Sequence, residues 1–118
     1  MVIIFFRMTA RPEKLKELTQ SLQSIIEKVR KESGCLYLGF YQSYEDKNKY
    51  LLIEEWASQK DSNTHLQSDY FKILQGAGIL MQHPPEITIH TVDSLMDSEP
   101  WKSGLYDRML EKNDDRAP

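Results

Sequence analysis

Hydrophobic and polar positions divide the chain into segments of different period. Val2-Ile3-Ile4-Phe5-Phe6-Arg7-Met8 is a β-branched and aromatic run without polar alternation, the pattern of a strand covered on both faces. Pro12 then suits the first turn of a helix. Leu15, Leu18, Leu22, Ile25 and Val29 follow at spacings of three and four, with Ile26 widening the stripe. Lys14, Lys16, Glu17, Gln20, Lys28 and Lys31 fall on the opposite side. The spacing predicts an amphipathic helix of about five turns, stopped near Gly34.

Two strand-like runs come next, Cys35 to Ser43 and Lys49 to Trp56, joined through Glu45-Asp46-Lys47-Asn48 as a hairpin loop. In the first, Tyr37, Gly39 and Tyr41 share one face while Leu36, Leu38 and Phe40 share the other. In the second, Tyr50, Leu52, Glu54 and Trp56 alternate with Leu51, Ile53 and Glu55. Ser58, with Asp61 three residues later, resembles a capping box and opens a helix through about Gln67. Ser68-Asp69 restarts a helical stretch holding Tyr70, Phe71, Ile73 and Leu74, which Gly76 and Gly78 break. Pro84-Pro85 precedes a last strand, Glu86 to Val92.

The order βαββαβ predicts an α+β, ferredoxin-like fold: a four-stranded antiparallel sheet with both helices on one face. The other face is expected to carry Tyr37, Tyr41, Tyr50, Leu52 and Trp56, a patch too apolar to leave in water. Pairing two sheets face to face removes it, so a homodimer is expected.

Charge places a boundary that periodicity alone does not. The 118 residues hold 15 Lys+Arg and 18 Asp+Glu, a formal net charge of −3. Residues 1–92 hold 11 basic and 11 acidic side chains, whereas residues 93–118 hold 4 and 7. Asp93-Ser94 and Asp97-Ser98-Glu99-Pro100 read as loop at the same point. The expected domain is residues 1–92, and 93–118 is an acidic tail. Within it Trp101, Leu105 and Met109, beside Tyr106, recur at four-residue steps and predict a short docking helix, despite Gly104 in its path.

No apolar run approaches the roughly 20 residues of a membrane helix, and Val2 to Phe6 is too short for a signal peptide. No basic stripe suggests nucleic acid. Cys35 is the single cysteine, which excludes a disulfide framework and suits a reducing, cytoplasmic compartment. It begins a strand and reads as inert packing. His65, His83 and His90 lack metal-ligand spacing, and Gly76-Ala77-Gly78 lacks the rest of a dinucleotide fingerprint. Neither metal nor cofactor is expected.

Several of these segments together resemble the antibiotic biosynthesis monooxygenase family, a branch of the dimeric α+β barrel proteins. The resemblance spans residues 2–92. It is carried by the early strand, by Arg11-Pro12-Glu13-Lys14-Leu15 and by Glu32-Ser33-Gly34-Cys35-Leu36. It continues through Glu54-Glu55-Trp56, then His65, then Ser68-Asp69-Tyr70-Phe71. It implies sheets paired in a dimeric barrel and chemistry of one of several kinds. Relatives include cofactor-free oxygenases of polyketide aromatics, quinol monooxygenases, haem-degrading enzymes and an isomerase of autoinducer processing. The haem-degrading branch uses an asparagine in the first strand and a tryptophan and histidine on the second helical region. Here those positions hold Phe6 or Arg7, His65 and Gln75, so haem degradation is not expected.

Cofactor-independent oxygenation needs a substrate that itself reduces dioxygen, an electron-rich phenolate or enolate. The protein then holds it, helps it lose a proton and excludes water. Under this reading Trp56, Tyr37, Tyr41, Tyr70 and Phe71 are candidate walls of a pocket. His65 is the candidate base, because an imidazole titrates near neutral pH. Glu54 and Arg7 are candidates to orient an oxygenated substrate or its anion. Structural roles stand beside each of these. His65 and Trp56 also suit a core, Tyr37 and Tyr41 an interface, and Arg7 is the natural ion-pair partner of Glu54. The leading functional expectation is a dimeric monooxygenase of a quinol-like or polyphenolic compound. The alternatives are a pocket protein or isomerase that uses no oxygen, and a structural or regulatory dimer without turnover.

Overall fold

A computed structural model of the chain describes residues 1–93 and 104–114. Four strands form one antiparallel sheet: β1 (Val2–Thr9), β2 (Cys35–Gln42), β3 (Lys49–Trp56) and β4 (Glu86–Thr91). Their order across the sheet is β2-β3-β1-β4, the ferredoxin-like arrangement expected from the pattern. Pro12–Lys14 forms a 3-10 turn that leads into α1 (Leu15–Arg30), so the proline stands one turn ahead of the α-helix. Two short helices, α2 (Gln59–Leu66) and α3 (Asp69–Gly76), follow β3. Among the described residues no helix is long and apolar enough to cross a membrane.

The core lies between the helices and one face of the sheet. Leu18, Leu22, Ile25 and Val29 of α1 pack with Val2, Ile4, Phe6 and Met8 of β1 and with Leu52 and Trp56 of β3 in one buried cluster. Each fully buried large side chain of this kind contributes roughly 1.5–3 kcal/mol. Arg30 ties the end of α1 to the sheet: its Nε and Nη2 donate to the Leu38 carbonyl at 3.3 and 3.0 Å.

The register corrects the expected distribution of side chains between the two faces. Residues directly opposite in a ladder share a face, and Leu38 lies opposite Glu54, Phe40 opposite Leu52 and Gln42 opposite Tyr50. Tyr50, Leu52 and Trp56 therefore turn toward the helices and are buried; they do not join Tyr37 and Tyr41 on the open face. Tyr37 lies opposite Glu55 and Tyr41 opposite Leu51, so the open face carries Tyr37, Tyr41, Leu51 and Ile53, together with Ile3, Phe5 and Arg7 of β1. A bulge between Cys35 and Tyr37 takes Leu36 out of the alternation, and its side chain is exposed.

In the tail, α4 (Leu105–Asp114) begins after Gly104, whose φ of +88° places it outside the helix. Met109 and Leu110 of α4 are exposed. Trp101, the expected anchor of that helix, lies outside the described residues.

Candidate active site

Three polar side chains meet under the helices, each delivered by a different element. β3 turns Glu54 inward two residues before Trp56, so both point into the core. Ser58 caps α2: its Oγ accepts from the Asp61 backbone N–H at 3.1 Å and donates to Asp61 Oδ2 at 2.8 Å. The cap fixes the phase of the helix so that Ser62 and His65, three residues apart, are the positions it buries. Glu32 comes from the turn after α1, held by its own N–H on the Val29 carbonyl at 3.0 Å.

His65 bridges the two acids. Its Nδ1 is 2.6 Å from Glu32 Oε2, and its Nε2 is 3.1 Å from Glu54 Oε1 and 3.2 Å from Oε2. Trp56 Nε1 donates to Glu54 Oε1 at 2.9 Å, and the indole stacks on the imidazole with centroids 4.5 Å apart. Exposure is graded along this row: the side chains of His65 and Glu54 are each 2% exposed and that of Glu32 is 19% exposed. Burial acts to lower the pKa of His65. The hydrogen bond and charge of Glu54, joined by those of Glu32, outweigh it and hold the imidazole above its ordinary value, which favours the cation.

The same carboxyls act on a neighbour. Burial first, then the charges of Glu54 and Glu32, push the Cys35 thiol up, which keeps it protonated and a poor nucleophile. Among the described residues no group of His, Cys, Asp and Glu side chains is arranged to hold a metal ion.

The imidazole row borders an enclosed chamber whose apolar lining includes Leu22, Ile26, Leu52, Tyr70, Phe71 and Leu74, with Glu54 and His65 as its polar part. Its volume is about 10 Å³, room for one water at most. Of the sequence candidates, His65, Glu54, Trp56, Tyr70 and Phe71 thus fall in one neighbourhood.

Arg7, Tyr37 and Tyr41 do not. They lie on the open face of the sheet, where the Tyr37 and Tyr41 hydroxyls meet above Gly39 and Arg7 Cζ sits 5.3 Å from the Phe5 ring centroid. The expected Arg7–Glu54 ion pair is corrected by register: Arg7 is opposite Leu51 and Glu54 opposite Ile4, positions of opposite parity on opposite faces. Glu54 takes its partners from Trp56 and His65 instead. Glu32 is the site residue that periodicity and composition do not select. Its signal is an acid just past a helix C-terminus, where the macrodipole disfavours it.

An α+β domain with a ferredoxin-like sheet and a charged row enclosed beneath its helices is the class that this fold and site define. The sequence profile of the antibiotic biosynthesis monooxygenase family matches residues 1–76, and the chain belongs to that family. A conserved protein from Methanosarcina mazei is 30% identical, with a TM-score of 0.72 over 75% of this chain and 89% of its own. A Deinococcus radiodurans protein classed with the antibiotic biosynthesis monooxygenases shares the fold: TM-score 0.75, 23% identity, 82% of this chain and 97% of its own. Among curated proteins, an uncharacterised Synechocystis protein is 27% identical over 92 residues, 77% of this chain and 63% of its own. Human N-terminal EF-hand calcium-binding protein 1 is 29% identical over 82 residues, 70% of this chain. The chain spans less than two thirds of the length of either curated relative, 63% of the first and 23% of the second.

Proposed function

We propose that the protein is a cofactor-independent monooxygenase of a small electron-rich aromatic, a quinol or polyphenol, acting as a homodimer paired through the open face of its sheet. The observation that carries this reading is the Glu32–His65–Glu54 row, buried against an apolar chamber. A phenol must lose its proton before it reduces dioxygen, and it must do so away from water. Each ring nitrogen of His65 has one site and both are taken, whereas the Glu54 carboxylate, which lines the chamber, keeps lone pairs beyond its contacts with His65 and Trp56; the proton acceptor is therefore Glu54. His65 positions Glu54 and leads toward Glu32, the member of the row that reaches solvent. The substrate supplies the electrons: a hydroquinone and dioxygen give a hydroxyquinone and water. Admission requires Tyr70, Phe71 and Leu74 of α3 to move outward, and the break between α2 and α3 at Gln67-Ser68 supplies the joint.

Dioxygen uptake against a panel of hydroquinones tests the proposal. Uptake with at least one member, reduced about 100-fold or more in Glu54→Gln, is expected. A second reading, a binding or structural member of the family without turnover, is favoured by the chamber volume of about 10 Å³. No uptake with any electron-rich aromatic, together with saturable binding of a metabolite that is not consumed, replaces the first reading with the second.

A further inference from the structure

The helix side of the sheet is incomplete along one edge. β4 stands at that edge, beside β1. Ile87 lies opposite Phe6 and Ile89 opposite Ile4, so both isoleucines turn toward the helix layer and away from the open face. Phe6 and Ile4 are fully buried there, yet Ile87 is 41% and Ile89 55% exposed. The helices stop short of them, since α2 packs on β3 and α3 on α1. A sheet face of this kind is ordinarily covered by a further element of the same layer. The chain carries such an element directly after β4. In α4, Met109 and Leu110 form an apolar side exposed to solvent, with Asp107, Arg108, Glu111 and Lys112 around the rest of the helix.

We propose that α4 docks on Ile87 and Ile89 of its own chain and completes the helix layer over β4. The dimensions of the two elements agree. Ile87 and Ile89, two residues apart in a strand, are spaced by about 6.6 Å. Leu105 and Met109, four positions apart in a helix, are spaced by about 6 Å along its axis. The chain between Thr91 and Leu105 reaches about 43 Å when extended, twice the roughly 20 Å of β4, so the helix can turn back along the strand it follows. The tether holds α4 near its own β4 at an effective concentration in the mM range, which favours that strand over one in another copy. Sheets paired through the open face leave this side free, so the docking stands with or without the homodimer and the oxygenase reading. The seat also has a neighbour in the candidate site. Phe71 of α3 rests near Phe6, ring centroids 6.2 Å apart, and Ile87 is the partner of Phe6 in the ladder. A helix on Ile87 therefore stands beside α3, which walls the chamber.

The test is a disulfide trap in the full chain, on a Cys35→Ser background that removes the one native cysteine. Ile89→Cys is combined with Met109→Cys on the apolar side of α4 or, as the control, with Glu111→Cys on its polar side. A disulfide needs Cα atoms within about 7 Å. With diamide as oxidant, the pair at 89 and 109 is expected to close within one chain about tenfold or more faster than the control, because closure follows the effective concentration of the two thiols. Non-reducing electrophoresis and mass spectrometry read the rate and separate links within a chain from links between chains. Equal rates for the two pairs, no closure of either, or links mainly between chains overturn the proposal. A second measurement keeps Cys35 in place: Leu110→Asp, an exposed substitution, is expected to move the amide NMR resonances of Ile87 and Ile89. Resonances of β4 that stay where they are overturn the proposal as well.

Discussion

The imidazole of His65 lies against the indole of Trp56, centroids 4.5 Å apart and planes 24° from parallel, and both rings direct an N–H at the same Glu54 carboxyl. The indole therefore has two roles. Its face meets a ring that favours the cationic state, and its edge satisfies an acceptor that is cut off from water. Glu54-Glu55-Trp56 is thus a physical unit: the alternation of a strand places residues 54 and 56 on one side, close enough to hydrogen-bond.

Trp56→Phe separates the two roles, because phenylalanine keeps a stacking face and loses the donor. The loss of the N–H removes one of the two donors that Glu54 has. Urea unfolding is expected to show destabilisation of about 1–3 kcal/mol. An unchanged midpoint means that a water or another donor takes the place of the indole.

The pairing of His65 gives stability a defined dependence on pH. The acids hold its pKa above 6.5 in the native state, so the folded protein binds that proton more tightly than the unfolded chain does. The contribution is complete below about pH 6.5 and is lost as pH rises through the raised native value. Urea midpoints between about pH 5.5 and pH 9 are expected to fall with rising pH in the wild type. The slope is expected to flatten in His65→Gln, at a baseline lower by about 3–5 kcal/mol because Glu54 loses its buried partner. Equal slopes in the two proteins place the titrating group elsewhere.

The order of elements was legible because each carries its own period. The run of Leu15, Leu18, Leu22, Ile25 and Val29 can only be a helix face, and Ser58 and Ser68 mark helix starts that their side chains do cap. Which face each strand shows was not legible, since β3 is apolar on both sides and parity within one strand says nothing of its partner's register. The Arg7–Glu54 pairing failed for that reason: it joined two charges by need, and register put them on opposite faces. His65 with Glu54 was within reach of motif reading. Glu32 stands in the Glu32-Ser33-Gly34-Cys35-Leu36 run, but its role beside His65 was not legible, because that contact crosses 33 residues and depends on how α1 ends against α2.

Gly34 governs that junction. Its φ of +81° is in the left-handed region, and a Cβ there would collide with the Asp61 carboxyl at the start of α2. Gly34 stands two residues after Glu32 and one before β2, and its carbonyl accepts from the Ala57 N–H at 2.8 Å. Gly34→Ala is expected to cost about 1–3 kcal/mol in thermal or urea unfolding. It is also expected to move the His65 ring resonances, because relief of the clash displaces α2. Full stability with an unmoved His65 signal means that Asp61 swings into solvent without disturbing the row.

The proposed pairing of sheets makes a sharper demand on the open face. Ile53 sits in β3, on the same side as Phe5, its partner in the ladder, and is only partly covered within one chain. In a monomer, glutamate at that position reaches water at small cost, near zero to about 0.5 kcal/mol as for surface substitutions generally. Between two sheets it places an uncompensated charge in each half of the interface, an arrangement that a buried surface does not tolerate. Ile53→Glu is therefore expected to convert a dimer into a folded monomer, read by light scattering across a concentration series beside the far-ultraviolet circular dichroism spectrum. Glu54, His65 and Trp56 lie on the other side of the sheet, so the pH dependence of the His65 row is expected to persist in that monomer. A wild type that is already monomeric, or a variant that remains dimeric, removes the open face as the pairing surface and leaves Phe5, Ile53 and Tyr41 to another role.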